Sequence, residues 1–292
     1  MKRNFYTLAL ILLTGCTASN NIKAVKSDVI VQEQQMLEME KRINTLDYER
    51  NAKLNNGKLD ETTDSVTVTF IKRLKDSVNA RLAFYKVIIA DSSKAYKDKG
   101  YINAYLNSIK QNYAKELNNI IFLDDLFKAS TFNRLNTAAF FAPGEYKLSG
   151  SSVNQASEVM NSIIAQAHDF SVKYADRKLK AMFVVLGYAD EQEITQGTDL
   201  FNELAPAIGS DMPSRKQLNN ELSNRRASSI KNILRDQYRK QFPASESYLF
   251  SSSFVATGKG EMIPPGKLEN LQSIDERRRV VLIYWSVLPD LN

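Results

Sequence analysis

The sequence predicts an α+β protein in which an N-terminal helical extension, a hairpin or small bundle, precedes an α/β sandwich of the order βαβαββ. Two observations support this fold class. Through the first half of the 292-residue chain, apolar residues recur at spacings of three and four, the period of an amphipathic helix. After Asn133, short apolar runs of strand length alternate with longer helical patterns, which is typical of a sheet covered by helices.

Three stretches of the extension carry the helical pattern. The first begins near Asp28 and breaks at 55–57, the second ends near Ala90, and the third runs over 102–127. Its apolar stripes are predicted to contain Met36, Met39, Ile43 and Leu46 in the first stretch, and Ile71, Leu74, Val78, Leu82, Tyr85 and Ile88 in the second. A surface that docks a partner and a bundle that only has its own core are both compatible with these stripes.

The second half is predicted to contain four strands and two helices. The strand candidates are 138–141, 182–186, 254–257 and 280–287, and the helix candidates are 151–174 and 218–238. The helices are expected to cover one face of the sheet. Between the second strand and the second helix lies a long excursion, 191–217, which could cap a groove or contact another protein.

The N-terminal segment is expected to direct the chain to the bacterial envelope. Lys2 and Arg3 precede an apolar run over 5–13, far shorter than the roughly 20 residues of a spanning helix. The tetrapeptide Leu-Thr-Gly-Cys that ends at Cys16 resembles the lipobox of bacterial lipoproteins, which implies cleavage before Cys16 and acylation of its sulfur. Cys16 is the single cysteine of the chain; the alternative is an ordinary secretory signal with an accidental cysteine.

These patterns predict four parts of the chain: a signal peptide (1–15), the lipidated Cys16 with a flexible leash (16–27), the helical extension (28–133) and the α/β domain (134–292). Several acyl chains, such as palmitate, would hold the mature chain in a membrane almost permanently. Thr17, rather than an aspartate, follows the cysteine, which favours the outer membrane, with the chain facing the periplasm.

Charge and composition exclude several functions. The formal net charge falls from +6 to +4 when the two positive charges of Lys2 and Arg3 are removed, and this mild excess suits acidic polymers in general. No cluster of interleaved basic and aromatic residues indicates nucleic-acid binding. One histidine, His168, and one cysteine supply neither a zinc site nor a catalytic triad. We therefore expect no catalysis, no metal and no cofactor.

Four short motifs follow one another in the second half of the chain. They are Gly187-Tyr188-Ala189-Asp190, Asn219-x-x-Leu222-Ser223-x-x-Arg226-Ala227, Gly258-x-Gly260-Glu261-x-x-Pro264 and Arg277-Arg278-Arg279-Val280. Together, over about 138–287, they resemble the OmpA-like peptidoglycan-binding domain shared by OmpA, Pal and MotB. The resemblance implies an OmpA-like sandwich that binds peptidoglycan without altering it chemically.

In that family a strand-end aspartate and a helix arginine bind the diaminopimelate of the peptidoglycan stem peptide, and these positions correspond to Asp190 and Arg226. Diaminopimelate ends in a carboxylate and an ammonium group, which suit a guanidinium fork and a carboxylate. Arg278 is the candidate third contact at the groove edge, although a solvated arginine at a strand entry is equally compatible. The alternative for the main pair is an internal salt bridge that only braces the fold.

Other motif residues are expected to support this site. Gly187 and Tyr188 belong to the strand end, and Asn219 is expected to position the loop that follows Asp190. Gly258 and Gly260 are expected to form a tight turn. The sequence departs from the family pattern at Ala142 and Ala189, where many members have Asp and Thr, and we therefore expect altered affinity.

Two functions remain open. The first is a stand-alone tether that joins the membrane, through Cys16, to peptidoglycan. The second is the wall-anchoring subunit of a larger envelope machine for secretion or motility, whose helical extension binds a protein partner. The length of the extension favours a partner, because a simple tether needs only a leash, but no sequence feature identifies that partner.

Overall fold

The computed structural model of the protein describes residues 3–90, 99–129, 132–136, 141, 144–148, 150–176, 178–242, 250–265, 270 and 272–289. The chain forms two compact units. The first consists of Met1–Glu49 and Val68–Asp125, and the second of Arg50–Thr67 and Leu126–Asn292. The predicted division at 133/134 differs from these units, because a stretch of the predicted extension belongs to the second unit.

Three long helices form the N-terminal half: α1 (Arg3–Asn55), α2 (Glu61–Ala90) and α3 (Lys99–Lys128). The α2 helix begins where Asp60 Oδ1 accepts hydrogen bonds from the amides of Thr62 and Thr63, at 2.9 and 3.0 Å. The predicted apolar stripes are confirmed, since all ten residues named for the first two helices are buried. Within the first unit, Arg42 pairs with Asp124 at 2.8 Å.

Helix α1 also runs through 16–27, where the sequence predicts a flexible leash. No glycine or proline lies between Cys16 and Asn55, so no residue of this stretch breaks the helix. In the part of the chain that the structure describes, no helix is both long and apolar enough to span a membrane.

The second unit follows the predicted order of strands and helices, with one additional helix. Its elements are β1 (Phe132–Asn136), α4 (Ser151–Lys173), β2 (Leu179–Gly187), α5 (Asp199–Ile208), α6 (Arg215–Gln241), β3 (Phe250–Gly258) and β4 (Val280–Pro289). The α+β class is therefore confirmed. The added helix, α5, lies in the long excursion after β2.

The first strand is the one element whose predicted position is wrong. The sequence places it at 138–141, whereas β1 spans Phe132–Asn136; Phe141 lies in a bend, and 137–140 lie outside the described residues. β1 is an edge strand that pairs antiparallel with β4, with Asn133 opposite Ile283. Pairing with a remote strand, rather than local apolar character, decides where this strand forms.

The sheet has the strand order β1-β4-β2-β3. β2 pairs parallel with β3 and antiparallel with β4, and the parallel register places Gly187 opposite Gly258. On the face covered by α4 and α6, Phe183 stacks on Phe254 with ring centroids 5.0 Å apart, and Tyr238 of α6 packs edge-on against both rings.

The opposite face of the sheet is covered as well, so the prediction of helices on one face alone is wrong. The α1–α2 connection lies on it: Tyr284 donates a 2.9 Å hydrogen bond to the Gly57 carbonyl, and the hydroxyls of Thr63 and Ser286 lie 3.4 Å apart. Leu126 and Val66 join the apolar core on this side. The stretch Arg50–Thr67 thus belongs to the fold of the second unit.

Candidate functional site

Helix α6 lies directly on the ends of β2 and β3 because two glycines make room for it. A Cβ at Gly187 would lie 2.1 Å from the Ser223 carbonyl oxygen, and one at Gly258 would lie 2.6 Å from the Asn220 carbonyl oxygen. Gly258, predicted to form a tight turn, instead permits close packing. Gly260, with φ of 55°, is the residue that takes the left-handed turn conformation.

The first turns of α6 connect the helix to the loop after β2. Ser214 and Gln217 form a reciprocal capping box that fixes the start of the helix. Asn219 then donates from Nδ2 to the Gln192 carbonyl at 3.0 Å and to Glu261 Oε1 at 2.8 Å. Asn219 thus holds the loop that follows Asp190, as well as the loop that follows β3.

Asp190 is buried shortly after the end of β2, and the two residues before it are anchored through their backbone amides. The amides of Tyr188 and Ala189 donate to the carbonyls of Val280 and Gly260, at 2.9 and 2.8 Å. Oδ2 of Asp190 has no hydrogen-bond partner among the described residues; Nε of Arg279 lies 3.6 Å away. Leaving such a buried acceptor unbonded costs about 1–3 kcal/mol.

Arg226 is buried on α6, and among its guanidinium nitrogens only Nε donates a hydrogen bond to the described residues. Its Nε donates to the Glu145 carbonyl at 2.9 Å, and the guanidinium carbon lies 5.7 Å from the ring centroid of Phe141. Burial, and secondarily the charge of Arg279, lowers the pKa of Arg226 to about 10, so the group remains charged at neutral pH.

The structure brings Asp190 and Arg226 to one cleft of about 250 Å³. No ion pair within 4.0 Å joins these two described side chains, so an internal salt bridge between them is not what holds the fold. The cleft is lined by Gly144, Asp190, Gln192, Glu193, Ile194, Thr195, Thr198, Leu200, Asn219, Leu222, Arg226 and Arg279.

Of the consecutive arginines before β4, Arg279 lines the cleft, and Arg278, the predicted third contact, does not. Arg278 is buried beneath the loops, where Nη1 donates to Glu191 Oε1 at 2.8 Å and Nη2 donates to the Glu261 carbonyl. A single 3-10 turn, Glu276–Arg278, directs the side chain of Arg278 toward Glu191 and Glu261 and that of Arg279 into the cleft. The residue types alone could not have distinguished the two.

Tyr188, predicted to support the site, faces the other side of the sheet. It is buried in the core cluster that contains Tyr284, and it does not line the cleft. Strand alternation would place Tyr188 and Asp190, which are two residues apart, on one face, but β2 ends at Gly187 and the alternation does not continue to Asp190. Tyr188 supports the fold at this position.

Two carboxylates and an arginine brace the loops around the cleft. Arg215 lies 3.3 Å from Glu191 Oε2 and 3.0 Å from Glu261 Oε1. The hydrogen bond from Arg278 is the main cause that lowers the pKa of Glu191 below its usual value. Sequence patterns do not identify Arg215 and Glu191 as bracing residues, because the two are remote from each other along the chain.

The long excursion after β2 forms one wall of the cleft. Thr198 caps α5, accepting a hydrogen bond from the Phe201 amide at 3.2 Å, and Gly209 ends the helix with φ of 72°. A small apolar cluster fixes this wall to α6: Ile194, Leu204, Leu218 and Leu222. Ile194 and Leu222 of this cluster, together with Leu200, line the same cleft as Asp190 and Arg226.

A hydrogen-bonded hub ties this wall to α6. Arg225 donates from Nη1 to the Tyr146 hydroxyl and from Nη2 to the Glu203 carbonyl, each at 2.9 Å. The Tyr146 hydroxyl in turn donates to the Glu203 carboxylate, and Ser229 donates to the Tyr146 carbonyl at 2.6 Å. Because Glu145, the neighbour of Tyr146, also accepts from Arg226, one short segment orients both the wall and the cleft arginine.

Comparison with known proteins does not assign the chain to a family. No protein-family model matches it, and no curated protein sequence matches it. Among solved structures, it has some similarity to the periplasmic domain of Helicobacter pylori MotB (residues 90–256), with 11% identity and a TM-score of 0.31, over 55% of this chain and 75% of that one. A likeness this weak supports no functional conclusion.

Proposed function

We propose that the chain is a non-catalytic lipoprotein that binds the stem peptide of peptidoglycan and tethers a membrane to the cell wall. The observation that carries the proposal is the arrangement of Asp190 and Arg226. Two opposite charges are buried in one cleft without forming an ion pair with each other. Asp190 Oδ2 accepts no hydrogen bond from the described residues, although Arg279 lies 3.6 Å away, and Arg226 donates to the Glu145 carbonyl from Nε. Buried charges with unmet hydrogen bonds are costly, so a ligand with complementary charges would stabilise both.

The chemistry of diaminopimelate matches this arrangement. Its free end carries an ammonium group, from which the Asp190 carboxylate can accept hydrogen bonds. It also carries a carboxylate, to which the two terminal nitrogens of Arg226 can donate a pair of hydrogen bonds. The aliphatic chain between its two ends suits the apolar wall of Ile194, Leu200 and Leu222. The order of the four sequence motifs, which resembles the OmpA-like domain, is consistent with the same ligand.

The anchor is proposed from the sequence around Cys16. The Leu-Thr-Gly-Cys tetrapeptide and the single cysteine support lipid attachment. Each buried methylene of an acyl chain contributes about 0.8 kcal/mol, so several chains hold a protein in a bilayer. We place the anchor in the outer membrane, with the second unit reaching peptidoglycan in the periplasm.

The alternative proposal is that the chain is the wall-anchoring subunit of a larger envelope assembly for secretion or motility. Exposed apolar side chains in the helical extension favour it: Val31, Tyr48 and Val87 are 52%, 76% and 62% exposed. Co-purification of the detergent-solubilised protein with other envelope proteins, lost in a triple serine variant of these positions, would favour this assembly. Purification of the protein alone would favour the simple tether.

Peptidoglycan binding is tested by co-sedimentation of the full-length chain, in mild detergent, with insoluble peptidoglycan. The whole chain is needed because Arg50–Thr67 belongs to the second unit. We expect wild type to sediment with peptidoglycan and Asp190→Asn and Arg226→Gln to lose most of this binding, since a charge-assisted hydrogen bond is worth about 1.5–3 kcal/mol.

The matched control is Arg239→Gln, which removes the same charge from an exposed position on the same helix. It should bind like wild type. The proposal is overturned if wild type does not sediment with peptidoglycan, or if both cleft variants bind as well as the control.

A further inference from the structure

The inner part of the cleft carries more positive than negative charge. Four charged residues line it. Asp190 and Arg226 are buried, the side chain of Arg279 is 24% exposed, and Glu193 is exposed at the rim. The charge of Glu193 is therefore screened by solvent, which leaves one carboxylate and two guanidinium groups in the interior.

Asp190 can balance only one of these two guanidinium groups. Arg279 lies 3.6 Å from it, a distance of ion pairing rather than of a hydrogen bond. Among the described residues, Glu276 is a second carboxylate beside Arg279, 4.0 Å away and 70% exposed. An exposed pair at this distance contributes little, so the described residues that line the interior of the cleft carry one more positive than negative charge.

We infer that Arg279 is a second ligand-contacting arginine and that the cleft binds a group with two carboxylates and one ammonium. This inference rests on the proposed function and specifies its ligand. A diaminopimelate residue that ends a stem peptide has this composition: one nitrogen lies in the peptide bond, one amine is free, and both carboxylates are free. The cleft thus selects stems that end at diaminopimelate.

The size of the cleft agrees with a single residue as the bound group. Its volume of about 250 Å³ lies just below the range of about 300–1,000 Å³ that is usual for ligand pockets. Asp190 would bind the free ammonium, and Arg226 and Arg279 would each bind one carboxylate. Converting either carboxylate to an amide leaves one guanidinium without its counter-charge, so binding weakens.

The experiment compares two peptides by calorimetric titration of the full-length chain in mild detergent. The first is N-acetyl-L-Ala-γ-D-Glu-meso-diaminopimelate, and the second is the same peptide with the carboxylate next to the peptide bond converted to an amide. We expect wild type to prefer the acid by about tenfold or more. Arg279→Gln should bind the acid about tenfold more weakly and lose most of this preference.

Arg277→Gln is the matched control, because it removes the same charge two residues away from an exposed side chain that pairs with Asp275. It should keep the wild-type preference. Arg279→Lys is a second variant that keeps the charge without the fork; it should retain a reduced preference, and it replaces Arg279→Gln if that variant does not fold.

Equal binding of the two peptides by wild type overturns the inference, and so does a preference that survives in both Arg279 variants. In either case binding of the acid would still uphold the proposed function. Failure of wild type to bind either peptide overturns both.

Discussion

Gly187 and Gly258 lie opposite each other at the ends of β2 and β3, and helix α6 passes over both so closely that neither position has room for a Cβ. This contact places Asn219 and Arg226 of α6 beside Asp190, which follows β2 after two residues. The geometry of the cleft therefore depends on two residues without side chains.

Gly187→Ala should destabilise the second unit by about 1–3 kcal/mol, because the new Cβ would meet the Ser223 carbonyl at 2.1 Å. Chemical denaturation followed by fluorescence measures this, since the single tryptophan, Trp285, is buried in β4. Gly100→Ala, at a position with open space in α3 of the first unit, is the control and should leave the Trp285 transition unchanged. Equal transitions for wild type and Gly187→Ala would contradict the prediction.

Tyr284→Phe should destabilise the second unit, because it leaves the Gly57 carbonyl without the 2.9 Å hydrogen bond from the tyrosine hydroxyl. The expected loss is about 1–3 kcal/mol in the same Trp285 assay. Binding of peptidoglycan at saturating protein should not change, since Tyr284 lies on the face of the sheet opposite the cleft. A stability equal to wild type would show that the α1–α2 connection does not cover the sheet in solution.

Tyr146→Phe should weaken peptidoglycan binding about two- to tenfold without unfolding the protein. The substitution removes the hydroxyl that joins Arg225 to Glu203 and so loosens the wall formed by α5; a neutral hydrogen bond is worth about 0.5–1.5 kcal/mol. Co-sedimentation over a range of protein concentrations measures the affinity. Tyr48→Phe, at an exposed position, should bind like wild type; if the two variants bind equally, the hub does not position the wall.

Glu191 should make stability depend on acid pH. Its folded-state pKa is lowered, mainly by the hydrogen bond from Arg278, so its contribution to stability is fully present above the usual value of 4.5 and is lost as the pH falls through the lower folded value. The stability difference between wild type and Glu191→Gln should be constant from pH 7 to about 4.5 and shrink below that. Denaturation at pH 7, 5 and 3 measures it, and a difference that persists unchanged at pH 3 would contradict the prediction.

Cys16→Ser should abolish the lipid anchor. Wild type should incorporate labelled palmitate and fractionate with membranes, whereas the variant should carry no label and be found either uncleaved or in the periplasm. If the cleaved Cys16→Ser variant still fractionates with membranes as wild type does, another element holds the protein to the membrane.

Much of the fold follows from local patterns in the chain. The three-four spacing of apolar residues predicted the stripes of α1 and α2, because a helix buries one side whatever packs against it. β2 and β4 were predicted instead from uninterrupted apolar runs of strand length, which are typical of strands buried on both faces. β1 was misplaced, because an edge strand of five residues with little apolar character forms only where β4 offers its hydrogen bonds.

The candidate site was predictable in part. Asp190 and Arg226 were predicted from the resemblance of the sequence motifs to the OmpA-like domain, and the structure brings both to one cleft. Arg215, Tyr146 and Glu203 could not be predicted, since their roles depend on contacts between segments that lie far apart along the chain.

The sequence by itself determined the helices and strands other than α5 and β1, together with the buried stripes of α1 and α2. The resemblance of its motifs indicated Asp190 and Arg226. Only the tertiary structure decided that Arg279 rather than Arg278 lines that cleft, and that Arg50–Thr67 covers the second face of the sheet. The physical reason is that periodicity records whether a side chain is buried but not what buries it. What buries each side chain is decided by contacts between remote segments and by the 3-10 turn before β4. These form only when the chain folds.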